Sequence, residues 1–253
     1  MHYLKVLIAV ALVQLAYAGD KIGFGPNFAV SSTGSTWIKE ANTTLILPET
    51  PSPQVERLAK WPGMETSNGN LVQALAVSFE DPTANCGAQN GQWCVWASTL
   101  QDTQISGRMV PASPGDRITM HYVYNDSTGE YDQSSAINGR IVSTLSTSSG
   151  YAQRWDVAVE CQVDACSRTS PAHSKPASAS NLVLCERIRT NQALEYVETT
   201  IILNEADSFW SEGLYTKLSH NSGLRTVDGG KTWKVDTIVL NSHLFDESDI
   251  QYN

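Results

Sequence analysis

The side chains of this sequence that are best suited to chemistry lie on segments predicted to be β-strands. Gln73 is embedded in the apolar run 71–79, and the alternation of a strand places it on the same face as Leu75 and Val77. A face that mixes an amide with apolar groups is more typical of a ligand groove than of a solvated surface. Arg154 is a cation that another strand could direct at a polarised oxygen of a ligand. An amide or cation in such a position stabilises negative charge that develops on a carbonyl oxygen.

Aromatic residues are the second notable feature, because the chain has seven Trp and nine Tyr. The side chains that could line a concave sheet and bind a flat apolar molecule are Trp93, Trp96, Tyr122, Trp155 and Tyr196. Residues of this size also form the cores of β-sandwiches. Trp93 and Trp96 have opposite parity in their strand, so we expect at most one of them in a groove unless a bulge intervenes.

Several classes of protein are disfavoured by what the sequence lacks. It has no Gly-rich phosphate loop leading into a helix, no HExxH motif and no GxSxG motif. No His lies at ligand spacing from a Cys, so we predict neither a metal nor a cofactor. The formal net charge of -9, with no basic cluster, argues against nucleic acid as a partner. The partner that we predict is an apolar small molecule.

The elements that must position these residues are short β-rich runs separated by Gly, Pro, Asn, Asp and Ser. The predicted strands are 71–79, 92–99, 117–124, 137–145, 154–160, 182–188, 194–203, 214–218 and 232–240. The run 55–60 is the one predicted helical turn, 23–25 is predicted to be flexible, and 164–181 is predicted to be a long exposed loop. This pattern predicts an all-β fold with almost no helix, an antiparallel double-sheet sandwich of the jelly-roll, concanavalin-like kind.

The first eighteen residues have the pattern of a secretory signal peptide. Lys5 supplies a basic start, 6–13 is an apolar run, and 16–18 presents small residues at the positions that a signal peptidase cuts. We therefore expect a mature single domain, 19–253, that enters the secretory pathway and has no membrane span.

An oxidising compartment makes disulfides the default for the five cysteines. Cys86 and Cys94 flank a Gly-rich turn and could staple it. Cys161 and Cys166 flank another short loop, although Cys185 could take one of that pair. The triplets that begin at Asn42 and Asn125 are predicted N-glycosylation sites.

Four segments, taken in order, carry a resemblance to a known family. They are 70–77 (NLVQALAV), 92–98 (QWCVWAS), 113–120 (SPGDRITM) and 193–198 (ALEYVE). Over roughly residues 65 to 205 the order resembles the fungal glutamic peptidases, the eqolisins, which are antiparallel β-sandwiches. The resemblance implies that Gln73 falls on the family's catalytic glutamine and Glu195 on its catalytic glutamate, with Glu198 and Glu186 as alternatives for the glutamate. The aromatic strand lacks the family's Tyr-rich form and contains a Cys, and 154–166 looks like an insertion.

The overall layout is similar to that of a second group, the fungal hetero-Diels-Alderases of tropolone-sesquiterpenoid biosynthesis. That similarity rests on a signal peptide, a compact Trp-rich β-sandwich and sequons, and not on a short motif. The favoured hypothesis is a cofactor-free pericyclase of fungal secondary metabolism that uses Gln73, Glu195 and Arg154 as catalytic residues. One alternative is an acid endopeptidase of the glutamic type, with Glu195 as general acid/base and Gln73 as oxyanion partner. The other is a non-catalytic, lectin-like binding module.

Overall fold

A computed structural model describes residues 21–32, 34–54, 57–162, 193–243, 245 and 249–252. The described chain is nearly all antiparallel β-structure, as the sequence predicted. Its strands are β1 Lys21–Ser31, β2 Ile38–Ile46, β3 Arg57–Thr66, β4 Leu71–Phe79, β5 Trp93–Leu100, β6 Gln104–Ser106, β7 Val110–Ala112, β8 Arg117–Asn125, β9 Glu130–Ile137, β10 Arg140–Thr147, β11 Ala152–Gln162, β12 Leu194–Leu203, β13 Leu214–Lys217, β14 Ser219–Asn221, β15 Arg225–Thr226, β16 Thr232–Leu240 and β17 Ile250–Tyr252. A short helix, α1, spans Pro82–Cys86, and a 3₁₀ turn spans Trp210–Gly213.

The strand pairings arrange the chain in two layers. The first layer, which we call the groove sheet, has the order β5, β4, β3, β11, β1, with β6 and β7 beside β5 and with β13 and β17 beside β1. The second, the back sheet, has the order β10, β9, β8, β2, β12, β16, with β14 and β15 beside β16. Ala152 of β11 pairs with Ile38 of β2, so the hydrogen bonding passes from one layer to the other.

The main core lies between the two sheets and is built by strand alternation. On β5, Trp93 and Val95 belong to the inter-sheet cluster, whereas Cys94 and Trp96 belong to a second cluster on the outer face of the groove sheet. The opposite parity of Trp93 and Trp96 therefore places them on opposite faces, as predicted.

The outer face of the groove sheet is also apolar, so this sheet is buried on both sides. All nine residues of β4 and all eight of β5 are buried. Helix α1 packs beside β4 and β5 on this side, and a disulfide between Cys86 and Cys94 ties it to β5, which confirms that predicted pair. The side chain of Asp81 caps α1 by accepting a hydrogen bond from the backbone of Ala84 at 2.9 Å.

The predicted strands 71–79, 194–203 and 232–240 coincide with β4, β12 and β16. The predicted helical turn at 55–60 is wrong, because residues from Arg57 onward form β3. The flexible start at 23–25 is also wrong, since these residues lie in β1, where a bulge between Phe24 and Asn27 accommodates Pro26. The predicted strand 154–160 is confirmed as part of β11, an interior strand of the groove sheet.

Other predictions fall partly or wholly outside the described residues. Cys161 is disulfide-bonded, but its partner is not among them, so Cys166 and Cys185 stay open as alternatives. The predicted strand 182–188, the loop 164–181 and the signal peptide 1–18 also lie outside the described ranges. No helix in the described ranges is long and apolar enough to cross a membrane.

One lysine side chain is buried in the core between the two sheets. Lys60 of β3 is 1 % exposed, and its Nζ lies 5.3 Å from the centroid of the Trp93 ring. No ion pair of Lys60 is present among the described residues. Burial lowers the pKa of this amine from 10.5 to about 7.

The shifted pKa of Lys60 predicts how stability changes with pH. Between pH 7 and 10.5 the unfolded chain holds the lysine proton and the folded chain has released it, so this group makes the free energy of unfolding rise with pH. We expect Lys60→Met to stabilise the protein below pH 7 by a few kcal/mol, because each pKa unit corresponds to about 1.4 kcal/mol. Urea unfolding at a series of pH values measures this, with Lys234→Met of β16 as the control. An unchanged pH slope in Lys60→Met would contradict the prediction.

Candidate active site

An open groove lies on the outer face of the groove sheet. Its floor is apolar and is formed by Leu75 and Val77 of β4, Trp96 of β5, Ala59 of β3, and Phe79. Its cavity volume is about 210 Å³, and it is partly open to solvent. An apolar floor with a few polar groups at its edge is typical of a small-molecule site. The remaining lining residues are Arg57, Asn85, Gln104, Ser106, Met109, Glu160 and Gln162.

Gln73 lies on the floor strand, two residues before Leu75 and on the same face. Its side chain is fully buried, and neither its Oε1 nor its Nε2 has a hydrogen-bond partner among the described residues. A buried polar group without a partner costs about 1–3 kcal/mol relative to one that is satisfied. Gln73 therefore carries an unusual energetic cost at a position next to the groove, although it is not one of the residues that line it.

Other unsatisfied polar atoms lie close to Gln73 in the sheet. Ser98 of β5 is the cross-strand partner of Gln73, and its hydroxyl accepts a hydrogen bond from Nε2 of Gln104. The Oε1 of Gln104 and the Nε1 of Trp96 are both buried and have no partner in the described chain. Three groove-sheet side chains thus have polar atoms without a hydrogen-bond partner in the described chain.

A polar row crosses the sheet from Gln73. Gln73 pairs with Gly63 of β3, and Gly63 pairs with Asp156 of β11, so Gln73 and Asp156 lie on one face with a glycine between them. Neighbouring strands are about 4.8 Å apart, which separates the two backbones by about 10 Å. A Cβ at position 63 would lie 3.1 Å from the Cβ of Gln73 and 3.0 Å from Cδ1 of Leu71. A side chain at position 63 would therefore crowd Gln73 and Leu71, which glycine avoids.

Arg154 shares this face but is held by its neighbour. Its Nε and an Nη donate hydrogen bonds of 2.6 and 2.8 Å to the two oxygens of Asp156, a bidentate pair. Burial raises the pKa of the Asp156 carboxyl, and the Arg154 hydrogen bonds act in the opposite direction. The guanidinium of Arg154, which was predicted to be catalytic, is therefore paired with the Asp156 carboxylate in this structure.

Two further carboxyls lie on the outer face. Glu65 is the cross-strand partner of Arg154, and its pKa is raised to about 7 by burial and by the charge of Asp156, against the opposing effect of Arg154. Both oxygens of Glu160 accept hydrogen bonds, from Nε1 of Trp61 at 3.0 Å and from Nε2 of Gln162 at 2.7 Å. Burial raises the pKa of Glu160 as well, although these two hydrogen bonds lower it in part.

The structure does not bring Gln73 and Glu195 together. Gln73 is buried in the groove sheet, whereas Glu195 is exposed on β12 of the back sheet, between Ile46 of β2 and Val239 of β16. The shared catalytic site that the resemblance implied for this pair is therefore wrong. The carboxyls on the same face as Gln73 are Glu65, Asp156 and Glu160.

Four of the five predicted ligand-binding aromatics lie in the inter-sheet core instead of the groove. Trp93, Tyr122, Trp155 and Tyr196 are all fully buried there, because their strand parity directs them between the sheets. Trp96 is the predicted aromatic that lines the groove.

The two predicted glycosylation sites differ in surroundings. Asn42 is in the middle of β2, where strands pair on both sides, and its Oδ1 is buried. Asn125 ends β8 beside an exposed turn, and its Nδ2 donates to Asp132 at 3.1 Å. Both remain predictions.

Sequence reasoning missed Arg57, Glu65, Asp156 and Glu160. Arg57 and Glu65 were not placed because β3 was not recognised as a strand. Asp156 and Glu160 alternate with Val157 and Val159 on β11, so the period of two was the signal that could have placed them beside Arg154. In the described chain, no group of three or more His, Cys, Asp or Glu side chains could hold a metal ion.

Comparisons with known proteins return structural neighbours only. No protein-family model matches the chain, and no curated protein does. Scytalido-glutamic peptidase, solved with a peptide-based transition state analogue, is similar at a TM-score of 0.46 and 12 % identity, over 85 % of this chain and 97 % of that one. SCP-B, a member of the eqolisin family solved with the tripeptide Ala-Ile-His, gives 0.43 and 11 % over the same shares. Sheep galectin-11, in complex with glycerol, gives 0.26 and 13 % over 55 % of this chain and 98 % of that one.

The unsatisfied amide predicts an effect of mutation on stability. Gln73→Leu keeps a similar volume and removes two buried polar atoms that have no partner among the described residues. We expect it to raise the free energy of unfolding by about 1–3 kcal/mol. Chemical denaturation measures the change, with Gln133→Leu as the control, because the Nε2 of Gln133 donates a hydrogen bond to Thr99 at 2.6 Å. A marked loss of stability in Gln73→Leu would mean that the amide has a structural partner.

The raised pKa of Glu65 predicts a second pH effect. The folded protein keeps this proton up to about pH 7, while the unfolded chain loses it near the ordinary value of 4.5. The contribution of this group to stability is complete below pH 4.5 and is lost as the pH rises through 7. We expect Glu65→Gln to remove that decline, whereas Glu195→Gln, on the exposed face of β12, should keep it. Thermal unfolding between pH 4 and 8 tests this, and equal slopes in wild type and Glu65→Gln would contradict it.

Proposed function

We propose that this protein is a cofactor-free enzyme of fungal secondary metabolism, a pericyclase of the hetero-Diels-Alderase type. The observation that carries the proposal is the Gln73 amide, which is buried and unpartnered among the described residues on the face that continues into an apolar groove. Such an enzyme would act in the secretory pathway. The disulfide between Cys86 and Cys94 is compatible with that location.

The groove supports this chemistry through orientation. A hetero-Diels-Alder reaction joins a conjugated carbonyl compound to an alkene in one step, without proton transfer. Holding the two partners at contact distance on the floor of Leu75, Val77 and Trp96 removes most of the entropic barrier. The large apolar surface of polyketides and terpenes matches that floor.

The amide supports the chemistry electronically. Nε2 of Gln73 can donate a hydrogen bond to the carbonyl oxygen of the heterodiene, which gains negative charge in the transition state. The amide is already desolvated, so the bond forms without loss of water. Gln104 is the side chain whose movement would give access, because it reaches across the outer face to Ser98, next to Gln73.

A glutamic-type acid endopeptidase is the second candidate, and one observation favours it. Asp156 lies on the same face as Gln73, in register across Gly63, so an amide and a carboxyl share one face two strands apart. In that mechanism Asp156, and not Glu195, would be the carboxyl that acts as general acid/base. Against this candidate, both oxygens of Asp156 are engaged by Arg154, whereas a general base needs a free oxygen to activate water.

Product chirality tests the first candidate. An ortho-quinone methide, released in solution from an apolar hydroxymethylphenol, is offered with a cyclic terpene alkene, and the enantiomeric excess of the adduct is measured. We expect an enantiomerically enriched adduct with wild type, and a rate reduced about 10²-fold in Gln73→Leu, as for loss of one oxyanion donor. Glu195→Gln should behave as wild type because Glu195 lies on the other sheet.

Casein digestion between pH 2 and 6 separates the two candidates. Racemic adduct together with casein cleavage that Asp156→Asn abolishes would overturn the pericyclase proposal in favour of the peptidase. Enriched adduct without casein cleavage is the expected result.

A further inference from the structure

The groove has a cationic group at one end. Arg57 begins β3, lines the groove and pairs across strands with Phe79 of β4. Its guanidinium carbon lies 5.9 Å from the centroid of the Phe79 ring. Within the described part of the chain, no carboxylate oxygen lies within ion-pair distance of Arg57, in contrast to Arg117, Arg154 and Arg225.

The carboxyl that shares the groove with Arg57 does not neutralise it. Glu160 lines the same groove, but its two oxygens accept hydrogen bonds from Trp61 and Gln162. Its burial also favours the neutral acid, since it raises the pKa of Glu160. Arg57 therefore offers a charge and a planar set of donors to a ligand in the groove.

The two ends of the floor are separated by a defined length. Leu75 and Phe79 are four residues apart on β4, which is about 13 Å along a strand. Val77 lies between them on the same face. A molecule that spans the floor thus meets apolar side chains along its length and a guanidinium at the end near Phe79.

We infer that the ligand of this groove is an elongated, mainly apolar molecule with one anionic oxygen group, a carboxylate or an ionised enol, which Arg57 binds. This inference rests on the proposed function, because it assigns the substrate class of the same site. The formal net charge of the chain is -9, so the protein as a whole repels anions. Arg57 then acts as a specificity-determining residue, because it attracts the anionic group of the ligand to its own end of the groove.

A matched pair of probes tests the role of Arg57. Decanoate and decan-1-ol have the same chain and differ in the charged group, and their binding at pH 8 is measured by calorimetry and by Trp fluorescence. We expect wild type to bind decanoate at least tenfold more tightly than decan-1-ol. Arg57→Gln should bring the two affinities to within about twofold and leave decan-1-ol binding unchanged, and Arg57→Lys should retain part of the preference.

Two control variants locate the effect. Arg140→Gln removes an exposed cation of the back sheet and should keep the wild-type preference. Ala59→Phe fills the groove floor and should abolish binding of both probes while the thermal unfolding temperature shows that the protein is folded.

The possible failures are distinguishable. Equal affinity of wild type for the two probes, or an unchanged preference in Arg57→Gln, overturns the inference about Arg57 and leaves the apolar groove of the proposed function intact. Absence of binding of either probe to folded wild type overturns both the inference and the small-molecule function on which it rests.

Discussion

Burial of the groove sheet on both faces is the constraint on which the site depends. Most strands of a β-sandwich have one face toward the core and one toward water. Here β4 and β5 are buried throughout, with the inter-sheet core on one side and α1 with its disulfide on the other. A polar group on the outer face of these strands is therefore removed from water, and its hydrogen bonds must come from the protein or from a ligand.

That constraint gives the outer face its electrostatic character. Burial alone pushes the pKa values of Glu65, Asp156 and Glu160 upward, and the face keeps charge mainly where a partner compensates, as Arg154 does for Asp156. In such a low-dielectric setting a single well-placed donor acts more strongly on a ligand than it would in water. The buried amide of Gln73, the Oε1 of Gln104, the Nε1 of Trp96 and the guanidinium of Arg57 are groups in the described chain that have no partner of this kind.

The sequence predicted the parts of the fold that depend on local pattern. The limits of β4, β12 and β16, the opposite faces of Trp93 and Trp96 and the bond between Cys86 and Cys94 all follow from alternation or short spacing. It could not predict the position of Glu195 relative to Gln73, because alternation defines a face within a strand but not the sheet to which the strand belongs. It also missed β3, where burial on both faces and the pair Pro62-Gly63 remove the period of two.

The state of the carboxyls favours a reaction that needs orientation more than proton transfer. A carboxyl that activates water must present a free oxygen to the solvent side of the substrate. Asp156 has both oxygens bound by Arg154, and Glu160 has both bound by Trp61 and Gln162. Use of Asp156 or Glu160 as the base would therefore require hydrogen bonds to break within a buried face, and for Asp156 it would leave a buried charge uncompensated. A cycloaddition requires only that two apolar partners fit the floor and that one donor reach a carbonyl oxygen, and Gln73 can supply that donor once Gln104 releases Ser98 and moves aside.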